Sequence, residues 1–203
     1  MDKFLLFPGP FLYISEVKNH SEIKKSIVPF IKNHSKKLEE INDPDEKVFS
    51  SFYDKHSVFP EFLNINGFLD NIVWNPLDNM IENMPFEMTR KFKTSKLPLI
   101  WYQYYKTAGG HHKEHVHGAS TFSGIYVVHS TEPNRTVFFG AGAGNQIYQR
   151  YQHHTNYVTE GHVMIFPSEM FHKVLPNEHE RIVIAFNISA TDHHYESLVK
   201  TFS

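Results

Sequence analysis

A mainly β chain with N-terminal helices is the fold class this sequence predicts: a double-sheet jelly roll packed on one face against supporting helices. Two observations carry that expectation. After Lys96 the chain breaks into eight short β-rich runs within about 90 residues, punctuated by Gly, Pro and Asn, a texture that suits a sandwich or barrel. Before Lys96, apolar residues recur instead at helical spacing. The 203 residues are read as one domain, with 1–96 a mostly helical support region that opens on a strand and 97–190 the jelly-roll core.

Residues 4–14 read as extended, because Phe, Leu, Tyr and Ile surround a Pro8-Gly9-Pro10 break that no helix accepts, and an edge strand is expected there. A helix is expected from Asn19, which with Glu22 resembles a capping box. Its stripe is Ile23, Ile27, Phe30 or Ile31, Leu38 and Ile41, with a kink expected at Pro29. A second helix is expected from Pro60 through Phe62, Ile65, Leu69 and Ile72, stopping at Asn75-Pro76. Leu77, Met80, Ile81 and Met84 then resume helical spacing as far as Pro85. Strands are expected near 98–105, 113–117, 121–129, 135–139, 156–160, 162–166, 170–175 and 181–188. The Gly-rich run from Phe139 to Gln146 lacks the spacing and the following helix of a phosphate cradle, so it reads as a loop.

Composition excludes several chemistries. With no cysteine there is no disulfide framework, thiolate zinc site, iron–sulfur cluster or cysteine nucleophile, so any metal must use His, Asp or Glu. Twenty Lys and Arg against 22 Asp and Glu give a net charge of −2, which argues against a dedicated nucleic-acid binder. No apolar run approaches the roughly 20 residues of a membrane span, and a cytoplasmic location is the default expectation. The oligomeric state stays open between monomer and homodimer.

The 15 histidines are unevenly distributed, 12 of them lying after residue 110. In the segment GGHHKEHVHG, strand parity puts His115 and His117 on one face, while His112 and Glu114 share the other. Two pairs on one strand therefore compete, and either needs a third ligand. His172 is the candidate, following the apolar run VMIFP and flanked by Phe171 and Val174. Nine positions later, Arg181 opens the alternating strand RIVIAFN; an inward-facing cation there must meet an anion, either a ligand or an internal carboxylate. His111, His153, His154, His193 and His194 read as surface residues.

Together, the paired ligands, the distal His behind GHVMIFPSEMFHKV and the basic residue nine positions on resemble the Fe(II)- and 2-oxoglutarate-dependent dioxygenases. More narrowly, the chain is similar to the prolyl-hydroxylase-like 2OG-Fe(II) oxygenase group with an H-x-H…SG-hyY signature. The likeness spans roughly residues 99–188 and includes His115, His117, Ser123, Gly124 and Tyr126. It implies a double-stranded β-helix, with Fe(II) held by His115, His117 and His172 and the far carboxylate of 2-oxoglutarate held by Arg181. Tyr105, or its neighbours Tyr104 and Tyr102 according to parity, would contact the cosubstrate, and Asn187 would support the site. Arg135, Tyr148 and Arg150, in loops expected to border the mouth, would contact substrate.

The resemblance also implies use of O2, release of succinate and CO2, and hydroxylation of a substrate whose identity is open. One departure stands out: the family's usual triad is two His and a carboxylate, and His117 occupies the carboxylate position. A set of His112, Glu114 and His172 would restore the carboxylate. Three histidines also fit a cupin-like dioxygenase without cosubstrate, a zinc hydrolase, or a non-catalytic jelly-roll binding module.

Overall fold

The computed structural model describes residues 3–6, 11–38, 46–53, 65, 67–83, 92–94, 98–118, 120–140 and 152–192. Its largest sheet has seven antiparallel strands in the order β1-β2-β10-β7-β12-β5-β3. These are β1 (Lys3–Leu6), β2 (Phe11–Glu16), β3 (Phe49–Ser50), β5 (Leu99–Tyr105), β7 (Phe122–Ser130), β10 (His162–Pro167) and β12 (Arg181–Ile188). A four-stranded sheet faces it, in the order β6-β11-β8-β9, from β6 (His112–His115), β8 (Thr136–Phe139), β9 (Gln152–His154) and β11 (His172–Val174). A short pair, β4 (Phe92–Thr94) and β13 (Ala190–Asp192), completes the described strands. The architecture is the double-stranded β-helix.

Side-chain alternation in the large sheet builds two cores. Leu12, Ile14, Val127, Met164, Phe166 and Val183 point toward the small sheet and meet Phe138 and Val174 there. The alternate positions Tyr13, Tyr102, Tyr126, Val163 and Ile184 meet the helices. Helix α1 (His20–His34) buries Ile23, Ile27 and Ile31, the stripe its spacing predicts. A second helical layer, Asp70–Trp74 as a π-helix running into α2 (Asn75–Glu82), buries Ile72, Val73, Leu77 and Met80. Carrying Ile, Leu and Phe side chains from water into such cores contributes roughly 1.5–3 kcal/mol each, so the helix layer is a major source of the sheet's stability.

Several expectations change. The extended N-terminal segment is not confined to an edge, since β2 lies between β1 and β10. No capping box forms, because Asn19 adopts a left-handed conformation (φ 58°) and has no side-chain cap bond. Its carbonyl instead accepts the N–H groups of Glu22 and Ile23. Asn75-Pro76 does not stop the second helix: the wider π turn precedes it and Pro76 sits in the first turn of α2, where a missing N–H costs least. The strand expected at 156–160 lies at Gln152–His154, since both the N–H and the hydroxyl of Thr155 bond the Thr136 carbonyl, and the Thr155–Val158 turn ends the ladder. Phe62, Met84, Ile41 and residues 141–146 of the Gly-rich run lie outside the described residues. No described helix is long and apolar enough to cross a membrane.

Candidate metal centre

The candidate site is assembled on the small sheet, where β6 pairs with β11. Register places His172 directly opposite His115, with ring centroids 4.2 Å apart. His117 lies just beyond β6, where its N–H bonds the Ser168 carbonyl, and its ring lies parallel to that of His172 at 5.0 Å. One ligand atom from each of His115, His117 and His172 falls within 4.8 Å of the other two, and the Nε2 atoms of His117 and His172 are 3.3 Å apart.

The orientation of each imidazole is fixed from outside. His115 Nδ1 lies 2.7 Å from the Lys113 carbonyl and His172 Nδ1 lies 3.0 Å from the Met170 carbonyl. A carbonyl only accepts, so both Nδ1 atoms carry the proton and both Nε2 atoms keep a lone pair directed into the site. His117 hydrogen-bonds Asn187, whose Oδ1 also accepts from Ser123 Oγ at 2.7 Å; Ser123 in turn contacts Ser168 Oγ at 2.8 Å. Trp101 stacks on His117 at 5.4 Å, and Phe166 and Phe138 pack on His172.

Burial and mutual repulsion keep these rings neutral. Desolvation, with charge repulsion from His112 second, lowers the His115 pKa to about 4; the same causes with His115 added lower His117 to about 4. His172, almost wholly buried, is driven well below the ordinary histidine range. Neutral imidazoles with free Nε2 lone pairs are what a divalent metal needs.

Arg181 is fully buried between the sheets. Its Nη2 donates to Asn134 Oδ1 and Thr136 Oγ1, and its Cζ lies 5.5 Å from the centroid of the Tyr105 ring. Among the described residues no carboxylate pairs with it, and Nε and Nη1 are buried without a protein partner. The internal salt bridge considered from sequence is therefore not formed there. A buried guanidinium with two unpaired nitrogens suits an anionic ligand, because leaving such donors dry costs on the order of 1–3 kcal/mol each.

Strand parity decides among the tyrosines. Tyr105 points between the sheets with Trp101 and Gln103, its hydroxyl donating to Gln103 Oε1 at 3.0 Å. Tyr104 and Tyr102 point to the helix layer, where Tyr104 donates to Glu180 and Tyr102 meets His34, so neither is brought to the site. His112 stands beside the trio, 4.3 Å from His115, with Nδ1 on Glu46 Oε2, while Glu114 is exposed and outside the close group. Arg135 follows the β8 register away from the centre, since Phe138 pairs with His172 and Thr136 with Val174. Its guanidinium is held by Glu132 and Glu178. Tyr148 and Arg150 lie outside the described residues, as do His193 and His194.

Sequence reasoning misses Trp101, Gln103 and Glu46. The first two share the parity of Tyr105 and could have been found once that residue was set inward. Glu46 belongs to a polar turn 66 positions before His112, and no local signal links the two. A cleft of about 290 Å³ opens beside the trio, its walls including Phe52, Trp101, Gln103, His112 and Val116.

Residues 99–187 match the family described as "Putative 2OG-Fe(II) oxygenase". No curated protein matches the chain. Among solved structures, a Pseudomonas putida prolyl-4-hydroxylase superposes with TM-score 0.58 at 11% identity, covering 89% of this chain and 92% of its own. A Trichoplax adhaerens prolyl hydroxylase, solved with a hypoxia inducible factor oxygen degradation domain peptide fragment, gives TM-score 0.58 at 9% identity, covering 92% and 86%. At such identities the likeness is one of fold.

Proposed function

Residues 99–187 carry the pattern of the 2OG-Fe(II) oxygenase family on a double-stranded β-helix, and from this premise we propose that the protein is an Fe(II)- and 2-oxoglutarate-dependent hydroxylase. In this reading His115, His117 and His172 hold the metal, and Arg181 holds the far carboxylate of 2-oxoglutarate. The single observation that carries it is the convergence of the three imidazoles, two of them with the Nδ1 proton tied to a main-chain carbonyl. The unpaired Nε and Nη1 of Arg181 support the second half.

Bound together, Fe(II), 2-oxoglutarate and O2 supply an oxidation coupled to decarboxylation of the cosubstrate to succinate, which inserts oxygen into a substrate C–H bond. The chain's own residues make that reaction orderly. Lys113 and Met170 fix the ring tautomers, and Asn187 fixes His117. Asn134 and Thr136 hold the guanidinium rigid, so it offers its remaining donors without reorganising. Tyr105 flanks it with a ring face. Phe138 and Phe166 keep water from His172 and Trp101 covers one face of His117, which strengthens the charge interactions on that side of the site. Three neutral ligands leave the metal's two positive charges to be balanced by the cosubstrate, itself a dianion, so the missing carboxylate does not prevent chelation.

The cleft beside the trio receives the substrate. Among the described residues it is lined by aromatic, aliphatic and uncharged polar side chains with the histidines, and by no lysine or arginine. Phe52 and Val116, large apolar side chains left exposed among the described residues, stand on its wall. Such a surface favours an uncharged substrate segment over a nucleotide.

Anaerobic titration of the Fe(II)-loaded protein with 2-oxoglutarate tests the reading. Chelation produces a weak visible charge-transfer band, which His117→Ala should abolish and Arg181→Lys should shift to higher cosubstrate concentrations. The carboxylate-free trio favours one second reading, a three-histidine dioxygenase without cosubstrate. Metal binding and O2 consumption with no band and no 2-oxoglutarate dependence would establish that reading instead.

A further inference from the structure

Glu46 is buried, its side chain only 6% exposed, and no step above uses it. It makes three bonds to three consecutive residues leading into the metal strand. Its carbonyl accepts the His111 N–H at 2.8 Å, Oε2 meets His112 Nδ1 at 2.9 Å, and Oε1 accepts the Lys113 N–H at 3.1 Å. The far side of the Lys113–Glu114 linkage matters as much: the Lys113 carbonyl takes the His115 Nδ1 proton at 2.7 Å. His112, held by the same carboxylate, packs edge-on against the His115 ring at 4.3 Å. Two routes thus run from one buried carboxylate to one imidazole, through the backbone of Lys113 and through the ring of His112.

We propose that Glu46 is a positioning residue for the metal centre: it fixes His115 through Lys113 and His112, and supplies from behind the ligands the negative charge that the three-histidine set lacks. The inference rests on the reading of His115, His117 and His172 as metal ligands. Groups that hydrogen-bond a metal ligand orient it and raise its basicity, and their loss costs about 10- to 100-fold in metal affinity; Glu46 stands one bond further out and acts by two routes, so the low end of that range is expected. A carboxylate in a low-dielectric surrounding also attracts a divalent cation over several ångströms with little screening. The constraint on the strand is tight in sequence as well, since a Cβ at Gly110 would stand 2.9 Å from the Lys47 carbonyl, so the turn into β6 admits only glycine without a shift.

The test is equilibrium Co(II) binding, followed by the d–d absorption that reports ligand geometry, on wild type, Glu46→Gln, Glu46→Asp and His172→Ala. Glu46→Gln keeps the side chain's shape and an oxygen for the Lys113 N–H while removing the charge. The expected result is Co(II) binding at least about tenfold weaker than wild type with altered d–d bands, partial recovery in Glu46→Asp, and no binding in His172→Ala. Affinity in Glu46→Gln within about twofold of wild type, with unchanged bands, overturns the proposal. Failure of the ligand reading looks different: wild type and His172→Ala would then bind Co(II) alike. A second measurement needs no variant. Imidazole 15N spectra of the metal-free wild type should show His115 as the Nδ1–H tautomer, and an Nε2–H tautomer at His115 overturns the relay.

Discussion

Arg181 and Tyr105 face each other across the β12–β5 ladder, and the guanidinium carbon lies 5.5 Å from the centre of the tyrosine ring. The pairing puts a fully buried cation on an aromatic face, with Asn134 and Thr136 as its hydrogen-bond partners and no carboxylate bonded to it among the described residues. Burial lowers the Arg181 pKa, and the nearby Tyr105 and Glu132 act in the opposite direction, so the group remains a guanidinium at any ordinary pH.

This pairing separates two variants. Arg181→Lys keeps a cation but loses the planar fork, so 2-oxoglutarate affinity should fall by roughly 10- to 150-fold, the ~1.5–3 kcal/mol of hydrogen bonds to a charged group. Tyr105→Phe loses only the hydroxyl that donates to Gln103, and the fall should stay below about tenfold. Titration of the charge-transfer band reads both, and an equal loss in the two variants would assign the cosubstrate's grip elsewhere.

The Ser123-Gly124 step is explained by packing. A Cβ at Gly124 would lie 2.0 Å from Cζ of Phe186, its partner across the β7–β12 ladder. Gly124→Ala should therefore destabilise the fold by about 1–3 kcal/mol or more, read as a lower urea midpoint at unchanged slope. Phe186→Leu should recover much of the loss in the double variant, though it costs stability alone. Additive losses would show that the two residues do not couple.

Much of this was legible beforehand, for identifiable reasons. That His115, His117 and His172 come together is legible because alternation and the apolar VMIFP run constrain them, and seven of the eight expected strands stand within a few residues of their positions. The eighth was displaced by Thr155, whose hydroxyl competes for a backbone carbonyl, a choice made by tertiary context. Tyr104 was indistinguishable from Tyr105 because a one-residue change of parity inverts every side chain of a strand. Glu46 was invisible because its contacts are set by how the chain before β3 docks on β6.

Acid should loosen the helix layer through Glu160. Burial pushes its carboxyl pKa up, but hydrogen bonds from Lys24, the Ser130 N–H, His20 and His129 outweigh that and hold it at about 2. A depressed folded-state pKa contributes stability that is complete above the unfolded value of about 4.3 and is lost as pH falls toward 2. Wild type should therefore lose stability between about pH 5 and pH 2. Glu160→Gln should start lower at pH 7, show a shallower loss over that window, and approach wild type near pH 2. Urea denaturation at each pH checks this, and parallel curves for the two proteins would count against it.

His117→Asp probes what the third imidazole does for the metal. In the proposed centre the substitution supplies the two histidines and carboxylate usual among 2OG-Fe(II) oxygenases, and returns one negative charge to the metal. It also removes the ring that stacks on Trp101 and bonds Asn187, and a shorter side chain must reach the same ion. The two effects oppose each other for affinity but not for the electronic state. A negatively charged ligand makes Fe(II) easier to oxidise, so the charge-transfer band of the 2-oxoglutarate complex should move to longer wavelength than in wild type. Metal binding should persist in His117→Asp and fail in His117→Ala. A band at the wild-type position in the aspartate variant would mean that residue 117 does not ligate the metal, leaving His115 and His172 to bind it with another partner.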